Sequence, residues 1–169
     1  WELSATALDT GGYSLHLDAG AGPRHLCFAP DGRYAYLISE LSGQIFTLKY
    51  ENEQLSVVSS LVADTLQGGG SADIHLTSDG QYLYASHRLK GDGISIYKVN
   101  ATDGTRVGYQ PTGIHPRNFC ISPNDRYLLV ACRDSHAIEI YERDTTTGLL
   151  KNTGRSIDMP RPMFVLLLK

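Results

Sequence analysis

The sequence lacks the features that would point to a membrane or to nucleic acid. Its apolar runs, such as residues 164–168, are all far shorter than the roughly 20 residues that a helix needs to cross a bilayer. The formal net charge is −3, and lysines and arginines are interspersed with acidic residues, so no basic stripe could neutralise a phosphate backbone or an anionic lipid surface. We therefore predict neither a membrane nor a nucleic-acid partner.

Several common catalytic and metal-binding motifs are also absent. There is no Gly-x-Ser-x-Gly turn and no Cys-x-x-Cys pair, the histidines lack a metal-ligand spacing, and Gly68-Gly69-Gly70 precedes a predicted strand rather than a helix. We predict no metal and no cofactor. The three cysteines are an odd number and are interpreted as reduced thiols, two of them in apolar segments. Reduced thiols favour the cytoplasm, but the sequence begins at Trp1 rather than Met, so a periplasmic location stays open.

What the sequence does contain is one pattern repeated three times. An apolar segment, a tight turn and a second apolar segment occur at residues 22–41, 71–88 and 115–133. The turns begin at Asp31, Asp79 and Asn124, so the repeats are 48 (79 − 31) and 45 (124 − 79) residues apart. Blades of β-propellers recur at about 40 to 50 residues.

The second apolar segment of each copy indicates how the strands pack. Residues 34–38, 82–85 and 127–131 are apolar at consecutive positions, which requires cover on both faces of the sheet, whereas a sandwich strand would alternate. With four strand signals per copy, we predict an all-β chain, residues 1–169, that forms one partial β-propeller domain. The expected blades are approximately 22–66, 70–112 and 115–158, with a lone outer strand at 13–17 and a closing strand at 160–168.

Three blades alone would leave two apolar sheet faces in water. We therefore expect a missing N-terminal half of the ring, or a second copy of the chain, as a partner.

Positions that differ between copies are candidates for function, because residues required by the blade recur. Seven residues before the turn stand Arg24, Ala72 and Arg117; six before it stand His25, Asp73 and Asn118; nine after it stand Glu40, Arg88 and Arg133. In a propeller these positions meet at one mouth of the axis. Arginine presents a planar donor group suited to carboxylate or phosphate, and a carboxylate among arginines can orient or deprotonate water. Salt bridges of the arginines with Glu40, Asp73 and Asp134 are an equally simple alternative.

These segments resemble a known family. The sequence is similar to the lactonase family of seven-bladed propellers in six segments: Gly22-Pro23-Arg24-His25, Ala29-Pro30-Asp31-Gly32-Arg33-Tyr34, Ser39-Glu40-Leu41, Ser71-Ala72-Asp73-Ile74-His75, Leu83-Tyr84-Ala85-Ser86-His87-Arg88 and Pro116-Arg117-Asn118-Phe119. That family includes propeller-type 6-phosphogluconolactonases and fungal carboxy-muconate lactonizing enzymes. The resemblance runs from residue 21 to residue 168 and implies the C-terminal half of such a ring.

The resemblance implies a site and a reaction. Catalytic positions would be Arg24, Glu40 and Arg88; the substrate, a small lactone or a carboxylated or phosphorylated sugar acid, would be bound by His25, Asp73, His75, Arg117 and Arg133. A further histidine is expected in N-terminal blades. The implied activity is metal-independent hydrolysis of a sugar-acid lactone, above all 6-phosphogluconolactone; the alternatives are a muconate-lactonizing cycloisomerase and a non-catalytic binding or scaffold propeller. His87 and Arg161 depart from the family pattern, which bears on the substrate more than on the fold.

Overall fold

The computed structural model describes residues 2–3, 8–9 and 14–167, and these form strands and turns with a single short 3-10 turn at Arg133–Ser135. No helix in these ranges is long and apolar enough to cross a membrane. The strands are β1 (Glu2–Leu3), β2 (Leu8–Asp9), β3 (Pro23–Phe28), β4 (Tyr34–Ser39), β5 (Gln44–Glu51), β6 (Gln54–Val62), β7 (Ser71–Leu76), β8 (Tyr82–His87), β9 (Gly93–Asn100), β10 (Asp103–Pro111), β11 (Pro116–Ile121), β12 (Tyr127–Cys132), β13 (Ala137–Arg143) and β14 (Leu150–Asp158).

Each repeat folds into one four-stranded antiparallel sheet whose strands follow chain order. The sheets are β3-β4-β5-β6, β7-β8-β9-β10 and β11-β12-β13-β14, and β1 pairs with β2 separately. The repeated turn has one geometry: the side-chain oxygen of Asp31, Asp79 or Asn124 accepts the backbone N–H two residues on, at 3.0, 3.0 and 3.2 Å. Asn can replace Asp here because either side chain supplies that acceptor.

The three sheets stack face to face. One core lies between the first and second sheets, and a second core lies between the second and third. Strand β8 contributes to both, because Leu83 and Ala85 point to the first sheet while Tyr82 and Tyr84 point to the third. All six residues of β8 are buried, which explains why residues 82–85 are apolar at consecutive positions. The fold is an all-β propeller-like array, a part of a full ring.

The two predicted terminal strands are not strands where the structure describes them. Residues 14–18 have no strand partner among the described residues, yet Leu15 and Leu17 pack on the outer face of the first sheet, against a cluster formed by Ala35, Phe46 and Leu48. Residue 13 of that predicted strand lies outside the described residues, as does residue 168 of the predicted closing strand. Residues 160–167 also form no strand, because a strand requires a ladder of backbone hydrogen bonds and this segment has none with a described neighbour.

Candidate functional site

The stacking of repeats brings equivalent positions of neighbouring sheets into contact. His25 is hydrogen-bonded to Asp73, and Glu40 to Arg88, the partner being 48 residues further along the chain in each case. Asp73 in turn bonds Asn118, 45 residues on. The innermost strands β3, β7 and β11 lie side by side. Residues one repeat apart in the sequence therefore lie on neighbouring sheets around the axis.

Two features of the backbone orient these side chains. The first strand of every sheet carries a register shift at the same place, between Pro23 and His25, Ser71 and Ile74, and Pro116 and Asn118. Arg24 and Arg117 are the extra residues of their strands, and a bulge of this kind redirects a side chain. The residue after the second strand is held too, since the backbone N–H groups of Glu40, Arg88 and Arg133 donate to the carbonyls of Gly22, Gly70 and His115 at 2.7, 3.1 and 3.0 Å.

The Glu40 carboxylate lies between two guanidinium groups. Arg88 Nη2 donates to Glu40 Oε1, and Arg24 Nε lies 3.3 Å from Glu40 Oε2. The side chains of Arg88 and Arg24 are 5% and 16% exposed, whereas that of Glu40 is 37% exposed. The arrangement therefore presents one solvent-accessible carboxylate on two largely buried cations.

Both arginines are fixed by further acceptors. Arg88 Nε donates to Gly70 O at 2.9 Å, and Arg24 Nη1 donates to Ala72 O at 2.5 Å. Burial lowers the pKa of Arg24, and the neighbouring charge of Arg88 lowers it further, opposed by Glu40. The guanidinium stays positive because arginine is not deprotonated in proteins.

Asp73 is the centre of a second, deeper cluster. It is 2% exposed and accepts hydrogen bonds from His25 Nδ1 at 2.6 Å, Asn118 Nδ2 at 2.5 Å and the Phe119 backbone N–H at 3.1 Å. His75 Nε2 lies 3.1 Å from Asp73 Oδ2, the oxygen that also accepts from Asn118 and Phe119. Burial by itself raises the pKa of Asp73, but the hydrogen bond and charge of His75 and the bond from His25 outweigh it and lower the pKa to about 2. Asp73 is therefore a buried anion held by donors from all three sheets.

A cleft of about 350 Å³ opens beside this cluster on the inner strands. Arg24, His25, Asp73, His75 and Asn118 supply its polar wall, and Leu26, Cys27, Ile74 and Phe164 supply its apolar wall. Within the described ranges, no group of three or more His, Cys, Asp or Glu residues has a geometry that could hold a metal ion. The cleft is suited to a small polar molecule.

Arg117 and Arg133 lie differently from the other two arginines. Arg117 is partly buried and makes no ion pair with any described residue, although its charge acts on Arg24 and on His115. Arg133 donates twice to Asp134, both at 2.8 Å, and does not reach Glu40. The salt-bridge alternative therefore describes Arg133 with Asp134 and also the pairs that Arg24 and Arg88 form with Glu40, whereas Arg117 has no such partner among the described residues.

The sequence-based prediction assigned no role to His115, and Asn118 entered it only as the third-repeat equivalent of His25 and Asp73. His115 is 7% exposed, and its Nε2 atom lies 3.1 Å from Arg88 Nη1. A signal for it existed: the other copies have Gly22 and Gly70 at this position, nine residues before the turn, so a histidine there departs from the repeat. Its backbone has φ +62°, close to the +67° of Gly22, a conformation that side chains other than glycine rarely adopt.

Three stacked four-stranded antiparallel sheets with polar residues at one mouth of their inner strands define a β-propeller. The chain belongs to the family described as Lactonase, 7-bladed beta-propeller, whose model matches residues 1–167. It is 40% identical over 150 residues to a 6-phosphogluconolactonase of Formosa agariphila, a match that covers 85% of this chain and 42% of that protein.

Solved structures give the same fold. A protein from Bacteroides fragilis superimposes with a TM-score of 0.87 at 50% identity, covering 89% of this chain and 43% of the other. The periplasmic gluconolactonase of Pseudomonas aeruginosa superimposes with a TM-score of 0.81 at 32% identity, covering 88% and 43%. The chain thus spans less than half the length of these relatives.

Proposed function

We propose that this chain supplies part of the active site of a sugar-lactone hydrolase, with Glu40, Arg24 and Arg88 as catalytic residues. The observation that carries the proposal is the exposed Glu40 carboxylate held between the two buried guanidinium groups. The names of the relatives, a 6-phosphogluconolactonase and a gluconolactonase, support lactone chemistry.

The proposed reaction is the addition of water to the lactone carbonyl. Glu40 orients the water and accepts its proton as the oxygen attacks. The negative charge that develops on the carbonyl oxygen is stabilised by the guanidinium groups of Arg24 and Arg88, which are already fixed before the substrate binds. The ring carbon–oxygen bond then breaks, the ring oxygen takes up the proton, and the product is the open-chain acid.

The substrate class we propose is a phosphorylated sugar-acid lactone, with 6-phosphogluconolactone as the first candidate. Arg24 and Arg88 share one carboxylate, and Arg117 has no ion pair with a described residue, so positive charge is in excess at the mouth. A phosphate dianion would be attracted by that excess. His25 and His75 would contact the sugar hydroxyls in the cleft, and Arg133 would contribute charge from the edge. Asp73 is 2% exposed and already accepts a hydrogen bond from each of these imidazoles, so it would hold the two histidines in place rather than touch the substrate.

The test is Glu40→Gln in the complete ring that contains this chain, assayed with 6-phosphogluconolactone by the acid released on hydrolysis. We expect kcat to fall by about 10² to 10⁴, the usual contribution of a general base. Glu51→Gln is the matched control, because Glu51 is an exposed carboxylate paired with Lys49 outside the mouth. Hydrolysis by Glu40→Gln at the wild-type rate would overturn the assignment.

Other readings of the site make different predictions in the same assay. A lactonizing cycloisomerase would form a lactone from a carboxylated muconate, and a scaffold propeller would turn over neither substrate; the names of the relatives favour hydrolysis. We also propose that further blades, or a second copy, cover the outer sheet faces, where Phe28, Val57 and Ile157 are close to half exposed. The compartment stays a prediction: free thiols favour the cytoplasm, and one relative is named as periplasmic.

A further inference from the structure

Each arginine that holds Glu40 is itself contacted by a histidine, and each histidine lies against an aspartate. Arg24 Nη1 lies 3.2 Å from His25 Nε2, and His25 Nδ1 lies 2.6 Å from Asp73 Oδ1. On the other side of Glu40 the same order occurs with residues of the second and third repeats. Arg88 Nη1 lies 3.1 Å from His115 Nε2, and His115 Nδ1 lies 3.5 Å from Asp134 Oδ2.

The contact between Arg88 and His115 determines the protonation state of the imidazole. A guanidinium nitrogen carries only hydrogens and cannot accept, so His115 Nε2 must accept and must be unprotonated. The ring proton is then on Nδ1, on the side of Asp134. A second proton on His115 would remove the acceptor and place two positive groups in contact.

The surroundings of His115 hold it in that role. It is 7% exposed, its backbone N–H donates to Asp92 Oδ1 at 2.8 Å, and its carbonyl accepts from the Arg133 N–H. Burial lowers the pKa of His115, and the charges of Arg133 and Arg88 lower it further, while Asp134 opposes them. The charged groups that face it are Arg88, Arg117, Arg133, Asp92 and Asp134.

Every nitrogen of the Arg88 guanidinium has an acceptor: Gly70 O for Nε, His115 for Nη1 and Glu40 for Nη2. We infer that His115 is a positioning residue, which in its neutral form holds Arg88 and, through it, the Glu40 carboxylate in the working geometry. This inference rests on the proposed function of Glu40 and Arg88. The backbone at His115 is left-handed, as it is at Gly22 of the first repeat, and this conformation is unfavourable for a residue with a side chain.

The first test is spectroscopic and needs no activity. In the complete ring labelled with ¹⁵N-histidine, long-range imidazole correlations report which nitrogen carries the proton. We expect His115 to be neutral with the proton on Nδ1 at pH 7, identified by the loss of its signals in His115→Gln. A proton on Nε2, or a doubly protonated ring at pH 7, would overturn the inference even if the enzyme hydrolyses the lactone normally.

The second test uses variants matched to the backbone. His115→Gly introduces the residue that the other two repeats have at this position, so the fold should be kept, while Arg88 loses its acceptor. We expect kcat to fall about 10- to 100-fold, because a catalytic group that is misplaced by about an ångström lowers the rate by factors of this size. His136→Gly is the control, because His136 is exposed, has φ +55° and shares no hydrogen bond or ion pair with Arg88 in the described part of the chain.

The third variant separates positioning from packing. His115→Gln offers Arg88 an uncharged acceptor that does not titrate, so it should recover most of the rate lost in His115→Gly. Wild-type kcat/KM should fall as the pH drops through the pKa of His115, and this acid limb should be absent in His115→Gln. Wild-type rates and an unchanged acid limb in both His115 variants would refute the positioning role, whereas an active Glu40→Gln would refute only the proposed function.

Discussion

Replacing Asp73 with asparagine should destabilise the protein more than its single atom change suggests. The carboxylate is 2% exposed, and its oxygens accept hydrogen bonds from donors on all three sheets: His25 Nδ1, Ile74 N, His75 Nε2, Asn118 Nδ2 and Phe119 N. In Asp73→Asn one of these oxygens becomes an NH₂ group. At least one donor would then face another donor in a buried site.

The expected loss in the free energy of unfolding has two sources, the shifted pKa of Asp73 and the hydrogen-bond acceptor that the substitution removes. The pKa of Asp73 is about 2, against an ordinary value of 3.8, and the difference corresponds to roughly 2 kcal/mol of stability at pH 7. A buried donor left without a partner adds about 1 to 3 kcal/mol. We therefore expect Asp73→Asn to lower the free energy of unfolding by about 3 to 5 kcal/mol at pH 7.

The effect has a defined pH dependence. Because the folded pKa of Asp73 is depressed, its stabilisation is complete above pH 3.8 and is lost as the pH falls through about 2. At pH 3 roughly 1 kcal/mol should already be gone from the wild type but not from the variant. The gap between the two proteins should therefore narrow by that amount.

Urea unfolding of the complete ring, followed by circular dichroism at pH 7 and pH 3, measures both quantities. Asp158→Asn is the matched control: Asp158 is an exposed aspartate at the end of β14 whose side chain has no hydrogen bond or ion pair with a described residue, so the change should alter stability by less than about 0.5 kcal/mol. Equal unfolding midpoints for Asp73→Asn and the wild type, or a gap that does not change with pH, would refute the reasoning.

Two further predictions concern stability alone. Burial lowers the pKa of His87 to about 4, so between pH 6.5 and pH 4 only the unfolded state takes up a proton at this residue. The free energy of unfolding of the wild type should therefore fall by roughly 3 kcal/mol over this range. In His87→Asn this part of the stability-against-pH curve should be flatter, and an unchanged slope would contradict the prediction. Gly148→Ala would place a Cβ 2.2 Å from the Tyr82 ring, whereas Gly154 has a similar positive φ with nothing within 4 Å. In thermal denaturation Gly148→Ala should cost about 1 to 3 kcal/mol more than Gly154→Ala, and equal losses would show that the ring moves freely.

The turns, the strand positions and the stacking of blades could be predicted because they depend on local patterns that occur three times. Residues 82–85 are apolar at consecutive positions, and the structure confirms that β8 is buried on both faces. The terminal segments were predicted less well, because apolar alternation at residues 13–17 indicates burial but does not supply a strand partner. Leu15 and Leu17 are indeed packed against the first sheet, without a ladder.

The sequence alone indicated that equivalent positions of the three repeats lie near one another at the mouth, because the repeat length equals the offset between neighbouring blades, but it assigned no role there to His115. It could not determine which of those side chains bond each other. That depends on the bulges that redirect Arg24 and Arg117, and on the left-handed backbone that turns His115 toward Arg88. Only the tertiary structure therefore shows Glu40 held by two arginines, Asp73 as a buried anion, and Arg133 bound to its neighbour Asp134. The physical reason is that a hydrogen bond depends on direction and on distances of a few tenths of an ångström, which a one-dimensional pattern does not contain.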